Sequence, residues 1–345
     1  MKQTSAAGGR VRLFLGLSLF ACVCCIGHRA EASTPNADAF LFLPVDAREI
    51  GLGQATVALV GDATSFHRNP AGLGMIGSLD AAASYTRLYR GLASHQMVAA
   101  GMPVGETFRV GLSWVRLGVD DIPIYPSLEA LTTAEERRDR AREGASGSLG
   151  YAQNAFYLTF ARRIHMQVDL GWQYLTLPME LPVGISVKYL TASAGDTISA
   201  SGIGVDVGVQ SRFSLGRALD SRALGDIALG LSLANVGRTR MTWDTPSQRK
   251  DTQSMKLSYG VAYQQPIPII RSTVLATFSG YGKATGWGLE YTFMDQVSLR
   301  MGRDMIAENG TSLGAGIAWR GLRLDYALQR HDLGATHRVS LHYRR

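Results

Sequence analysis

Eight charged residues, Arg109, Lys188, Asp206, Lys256, Glu290, Arg300, Arg323 and Asp325, stand on the polar side of segments that otherwise alternate apolar with small or polar residues. Facing one another across an enclosed space, such groups form ion pairs, and their carboxylates could in principle do acid–base work. The other ingredients of catalysis are missing. No Ser–His pair stands out as nucleophile and base. Neither G-x-x-x-x-G-K-[ST] nor H-E-x-x-H occurs. Gly51-x-Gly53 has the spacing of a dinucleotide loop, but no βαβ unit surrounds it. The seven histidines are scattered, and His337 and His342 are an odd number apart, so one strand would point them to opposite sides. Asn309-Gly310-Thr311 matches a glycosylation sequon by pattern only. The expectation is no catalytic residue, no metal site and no cofactor.

The elements that hold these charges follow from the alternation. Ile203, Val205, Val207 and Val209 face one way, with Gly204, Asp206, Gly208 and Gln210 opposite. Trp287, Leu289, Tyr291 and Phe293 alternate with Gly288, Glu290 and Thr292, and Leu322, Leu324, Tyr326 and Leu328 with Arg323, Asp325 and Gln329. Roughly fourteen or fifteen such segments run from Leu79 to Tyr343, separated by turn signals. In a soluble sandwich the apolar row meets a second sheet; in a membrane barrel it meets lipid and the polar row lines the lumen. Periodicity does not separate the two.

Three features favour the barrel. The segments have the ~9–11 residues that cross a bilayer at a tilt. Aromatic residues near segment ends, among them Tyr85, Tyr89, Trp114, Tyr151, Trp172, Tyr174, Tyr189, Trp243, Tyr281, Trp287, Trp319 and Tyr343, suit the girdles at the two headgroup levels. The N-terminus, finally, looks like an export signal. Lys2, Arg10 and Arg12 flank the apolar run Leu13 to Ile26, and Ala30-Glu31-Ala32 fits a cleavage site, so residues 1–32 are expected to be removed. A retained anchor, or a lipoprotein built on Leu19-Phe20-Ala21-Cys22, are the alternatives. Cys22, Cys24 and Cys25 are the only cysteines and would leave with the signal, excluding disulfides and thiol chemistry from the mature chain. The net charge of +7 falls as well, because Lys2, Arg10, Arg12 and Arg29 leave against Glu31; no nucleic-acid partner is implied. Residues 119–148 form one long connection, expected to be an extracellular loop with a charged helix in which Glu136 and Arg140 pair at i,i+4. A solvated loop and a lid or partner-docking loop are the two roles open to it.

Residues 33–78 do not alternate. They carry Phe42-Leu43-Pro44-Val45-Asp46-Ala47-Arg48, Gly51-Leu52-Gly53-Gln54-Ala55, Asp62-Ala63-Thr64-Ser65 and Asn69-Pro70-Ala71-Gly72-Leu73. Pro70 restricts Asn69 to extended geometry, which suits its side chain to a buried turn. This ordered set resembles the N-terminal signature of the FadL-like outer-membrane proteins, most closely their PorV/PorQ branch. Gln265-Pro266-Ile267-Pro268, Gly288-Leu289-Glu290-Tyr291, Leu324-Asp325-Tyr326-Ala327 and Leu333-Gly334-Ala335-Thr336-His337-Arg338 are similar to that branch too.

The resemblance implies an all-β, antiparallel transmembrane barrel of about fourteen strands over residues 79–345, closed by a small helical hatch from residues 33–78. Arg48, Gly51, Gly53, Asp62, Asn69, Pro70, Ala71 and Gly72 would be hatch or gating residues, with Arg48 pairing Asp206, Glu290 or Asp325. The eight alternating charges would line the lumen. Asp46, Gln54 and His67-Arg68 depart from the family pattern, and Arg344-Arg345 end the chain where many such barrels end on an aromatic. The implied setting is the bacterial outer membrane, with its lipid and the barrel assembly machinery as partners. The implied function is passage of a hydrophobic small molecule of the long-chain fatty-acid type, or a PorV-like role handing exported proteins to type IX secretion and surface attachment.

Overall fold

The computed structural model describes residues 39–345 except 60, 128–132, 170–175, 196, 222–223, 283, 305–309 and 331–333. The expected signal peptide 1–32 with its cysteines, residues 33–38 of the hatch segment, Trp172, Tyr174, Asn309 and Leu333 lie outside the described residues.

Strands form where β-branched, aromatic and leucine residues alternate with small or polar ones. They are β1 (Asp80–Leu88), β2 (Ala93–Val104), β3 (Phe108–Ile124), β4 (Gly147–Asp169), β5 (Thr176–Ala194), β6 (Ile198–Ser214), β7 (Asp226–Ala234) and β8 (Thr239–Trp243). The second half comprises β9 (Lys250–Gln253), β10 (Lys256–Ile267), β11 (Ser272–Tyr281), β12 (Ala284–Phe293), β13 (Val297–Asp304), β14 (Gly310–Trp319), β15 (Leu322–Gln329) and β16 (Thr336–Arg344). Sequence neighbours pair antiparallel, and β1 pairs β16 from Asp80↔Arg344 to Arg87↔His337, which closes the sheet on itself. β8 and β9 stand apart as a hairpin. β7 passes them by to pair β10, and β8 instead prolongs one end of the wall beside Ala200–Ile203 of β6. The barrel proper therefore has 14 strands.

The faces decide between barrel and sandwich. Along β13, Leu299 is 57% exposed and its neighbour Arg300 only 4%. Leu112, Ile203, Leu313 and Ile317 are likewise bare on the outside, while Lys188, Asp206, Glu290 and Asp325 are buried inside. A sheet with apolar residues outside and ionic ones inside is stable when lipid replaces water around it. Tyr85, Tyr189, Trp287, Trp319 and Tyr343 are exposed on that outer face. Two expected girdle residues are not there. Tyr281 turns inward to bond the hatch, and Trp243 sits on the β8 hairpin, half-buried against the apolar cluster inside.

The connection expected at 119–148 is shorter than its sequence suggests. β3 and β4 stay paired out to Ile124↔Gly147, past a register shift between Val119 and Ile122 where Asp121 takes φ 56°. Such a bulge adds a residue to one strand without ending the ladder, which is why charge and proline concealed it. The charged helix spans Ala134–Arg142, is fully exposed, and begins at a capping box between Thr133 and Glu136. Side chains pair along it at i,i+3, Arg140 with Glu143 at 2.9 Å and Asp139 with Arg142 at 3.1 Å.

The core of the molecule is the lumen. Into it fold α1 (Ala39–Phe42), α2 (Ala47–Gly51), α3 (Ser65–Arg68) and a 3-10 turn (Pro70–Met75), followed at once by β1. Asp46 caps α2 by accepting the Arg48 N–H at 3.2 Å, and Asn69 caps the 3-10 turn.

Candidate functional site: the hatch and the lumen wall

One side of the hatch is held by charge. Arg48 donates from Nε and Nη2 to the two oxygens of Glu290, at 2.9 and 2.8 Å, in the bidentate fork that favours arginine for carboxylates. Glu290 also takes the Nε of Arg300, whose Nη1 reaches Asp325 at 2.6 Å. Asp325 accepts from Arg323 Nε at 2.7 Å, and Arg323 ends the series 3.8 Å from Asp62. The result is an alternating row, Arg48, Glu290, Arg300, Asp325, Arg323, Asp62, that leaves the hatch at α2, crosses β12 to β15, and returns to the hatch. Every charge in it has an opposite neighbour, which is the condition for burying so many. Beside it His342 Nε2 lies 2.9 Å from Asp46, and the Ala47 N–H donates to Ser340 Oγ at 2.8 Å.

The other side is held by shape. Asn69 is fully buried with φ −157° and ψ 103°. Its Oδ1 accepts the Ala71 N–H at 3.1 Å, and its Nδ2 donates to Val57 O at 3.0 Å within the hatch and to Val209 O at 3.1 Å in the wall. That approach needs glycine opposite: a Cβ on Gly208 would fall on Asn69 Oδ1. The same holds elsewhere. A Cβ on Gly184 would meet Pro70 and Ala71, one on Gly230 would meet Val57 and Ala58, and one on Gly288 would meet Leu52 at 2.6 Å. On the hatch, Gly53 takes φ +58° with the Arg303 backbone 2.6 Å from where its Cβ would be, so both conformation and space demand glycine. Gly51 lies against Arg300 and Gly314, with 3.1 Å between its would-be Cβ and Arg300 Cβ.

A third group lies within the hatch. Arg68 binds Glu49, reaches Gln54 Oε1 at 2.5 Å and Phe42 O at 3.2 Å, and stacks 4.7 Å over the Tyr281 ring. Gln54 donates from its side-chain amide to Asp304, and its backbone carbonyl accepts from the Tyr281 hydroxyl. Burial pushes the Glu49 carboxyl up, but Arg68 and then His67 outweigh it and bring the group down to about 2. Burial holds His67 below its usual range. Burial also raises Asp46, and the His342 opposite more than offsets it, leaving Asp46 well below the usual carboxylate range.

Every expected hatch residue is in the described lumen plug. Asp62 accepts the Thr64 N–H and Oγ1, and Pro70, Ala71 and Gly72 are buried in the turn that Asn69 caps. Of the three partners expected for Arg48, Glu290 is the one it binds. The eight alternating charges all face inward but do not form one cluster. Arg300, Glu290, Asp325 and Arg323 share the row just described. Lys188 and Asp206 pair separately at 2.7 Å, with the Asn235 N–H on the same carboxylate. Arg109 donates to Ile76 O and Glu106 O, and Lys256 lies 3.7 Å over the Phe42 ring. Sequence reasoning missed Glu49, Gln54, Arg68, Asp304 and His342 as partners, and took Asp46, Gln54 and His67-Arg68 as departures from a family pattern. Those departures are the polar centre of this hatch. The parity of His342 within β16 was the available signal for one of them.

Around α1 the lumen is apolar. Phe40, Leu41 and Phe66 pack with Met97, Val115, Tyr157, Leu190 and Met241, flanked by Leu43, Leu117 and Trp243, and the Phe66 and Tyr157 rings are 4.7 Å apart. Between the charged row and α2 remains a void of about 20 Å³ lined by Asp46, Arg48, Glu49, Asp62 and Arg68, room for about one water. Among the described residues no group of three His, Cys, Asp or Glu side chains is placed to hold a metal ion.

No protein-family model and no curated protein matches this chain by sequence. Solved structures do resemble it in shape. A FadL homologue of Pseudomonas aeruginosa aligns with a TM-score of 0.47 at 10% identity, over 88% of this chain and 99% of that one. The toluene transporter TodX of Pseudomonas putida gives 0.46 at 9% identity, over 87% and 98%. The monoaromatic hydrocarbon channel CymD gives 0.44 at 10% identity, over 87% and 96%.

Proposed function

We propose that this chain is an integral outer-membrane barrel that passes hydrophobic small molecules, with the hatch as its closure. The observation that carries the reading is the division of the lumen. Around Phe40, Met97, Leu190 and Met241 the hatch and the wall meet through apolar side chains, and elsewhere they meet through the row from Arg48 to Asp62. When the hatch moves, the apolar wall it leaves would present the kind of surface that lines a pocket for a hydrophobic ligand. The hatch fills the lumen, so passage requires it to move; Arg48, Asp62 and Asn69 are the residues whose bonds that movement breaks. In this reading the outer-membrane lipid and the barrel assembly machinery are partners. The chain ends joined through β1 and β16 face the periplasm, and the connection with the charged helix faces outward.

Long-chain fatty acids and smaller hydrocarbons, such as the toluene named for TodX, are the two ligand classes such a surface would take. The test is uptake of a labelled long-chain fatty acid and of toluene by cells with and without the gene. Loss of one or both on deletion supports the reading, and unchanged uptake of both rejects it. The alternative, a PorV-like part in type IX secretion with an exported protein as partner, draws on the ordered hatch motifs of the sequence. Deletion would then leave uptake intact and strip surface proteins that carry sorting domains.

A further inference from the structure

On the outer wall, at the rim away from the chain ends, the ladder sets four outward positions side by side: His337 on β16, Arg87 on β1, Ser94 on β2 and Gly118 on β3. Two residues further from the rim, Val339, Tyr85, Gln96 and Arg116 form the next outward row. Arg116 turns toward the first row, because a Cβ on Gly118 would stand 3.8 Å from its Nε and 3.2 Å from Ser94 Oγ. Arg87 extends to the turn at the rim, where a Cβ on Gly91 would stand 3.3 Å from its Nη2, and Arg90 belongs to that turn. Arg87 and Arg90 are exposed and Arg116 is half-buried. Among the described residues none of the three guanidiniums has a hydrogen-bond partner or a carboxylate within 4 Å. The nearest acids along β3, Asp120 and Asp121, are exposed at the bulge.

The patch thus sets three unpaired cations around two small residues, Ser94 and Gly118, within about 10 Å of wall, the width of two strand spacings. Beneath it the wall is apolar, with Tyr85, Val98, Leu112 and Val339 all exposed. Acyl chains cover such a face, so a headgroup comes to rest at the level of the arginines. Arginine stays charged there and meets phosphate through paired N–H donors. From this geometry we infer that Arg87, Arg90 and Arg116 form a docking site for the phosphate of one lipid in the outward-facing leaflet. The head lies over Ser94 and Gly118, and an acyl chain lies along Tyr85 and Val98. The lipid then rests beside the seam where β1 meets β16. The inference depends on the outer-membrane setting proposed above and not on what the barrel passes.

Its test is native mass spectrometry of the full chain released from detergent micelles that contain lipid A, with folding checked by heat-modifiable migration. The wild type should retain lipid A several-fold more than a variant carrying Arg87→Gln and Arg116→Gln, and should hold dephosphorylated lipid A no better than that variant does. Arg303→Gln, which removes an exposed outward side chain from β13, should retain lipid A as the wild type does. Inorganic phosphate at the same concentration as lipid A should not displace it. Equal retention by the wild type and the folded double variant overturns the inference. So does undiminished retention of dephosphorylated lipid A, which would make the apolar wall alone responsible. A loss in Arg303→Gln as large as in the double variant, or displacement by inorganic phosphate, overturns it too, the first as diffuse attraction and the second as a free-anion site. Should the double variant not fold, Arg87→Gln and Arg116→Gln are read singly by the same criteria. Unchanged uptake on deletion would reject the transport reading and leave this result standing.

Discussion

Asn69 and Gly208 meet so closely that each tests the other. Asn69→Ala removes three buried hydrogen bonds, to Ala71 N, Val57 O and Val209 O, at 3.0 to 3.1 Å. At about 1 kcal/mol each, the two bonds inside the hatch loosen its own turn, and loss of the one to Val209 O, which leaves that carbonyl unpaired, removes about 1–2 kcal/mol of hold on the wall. That raises the open population by about one order of magnitude. Gly208→Ala attacks the same contact from the wall, since its Cβ would fall on Asn69 Oδ1. Once Asn69 is alanine that oxygen is gone, and Gly208→Ala should then add little. The two changes should be strongly sub-additive, with a coupling of about 1–3 kcal/mol. Local opening is read from hydrogen exchange at the Ala71 N–H, and closure from the conductance of single barrels in planar bilayers. Both single variants should exchange faster and conduct more, and the double variant should barely exceed either. Additive effects would refute the wall contact, and unchanged conductance in properly inserted variants would refute its part in closure.

Glu290→Gln leaves Arg48 without its carboxylate and Arg300 with Asp325 alone; removing one member of a buried pair costs about 3–5 kcal/mol, so it should open the hatch more than Arg48→Met, compared by the same exchange measurement. The Glu49 carboxyl is held at about 2 against an ordinary 4.5, so its contribution is complete above pH 4.5 and is lost as pH falls toward 2. That contribution is about 3 kcal/mol, and a Glu49→Gln hatch should lack this acid-dependent part in exchange measured from pH 6 to pH 3. The whole chain should migrate faster on a denaturing gel unboiled than boiled, because a closed ladder of 14 strands resists detergent; identical bands would count against closure.

Alternation made the barrel legible, because a wall with lipid outside and a filled lumen inside imposes a period of two on every strand. It could not show where two paired strands run on through a bulge. Ile122 to Ile124 therefore look like loop in the sequence and are ladder in the structure. Nor could it place Tyr281, since a tyrosine near a strand end suits a girdle and an inward bond to the hatch equally well. The hatch was visible as a block without period, and Arg48 as its charged contact. Its partners were not, because Glu290, Asp304 and His342 lie over 200 residues away along the chain and meet it only once the barrel has closed. The glycines of β5 to β7 gave no signal of their own, because a glycine in a strand looks the same whether it faces a hatch or nothing.

The two modes of attachment respond to different things. Glycine sockets at Gly184, Gly208 and Gly230 hold the hatch by close fit and backbone contact, which neither pH nor salt changes directly. The row from Arg48 to Asp62 holds it by charge, and its worth depends on every member keeping its partner. Loss of one carboxylate there leaves two cations facing each other, so the row fails as a unit. Loss of one socket leaves the others seated. At β12 and β13 the two modes overlap, because Gly288 and Gly302 seat Leu52 and Gly53 beside the charged row, whereas β5 to β7 hold the hatch by close fit without that row.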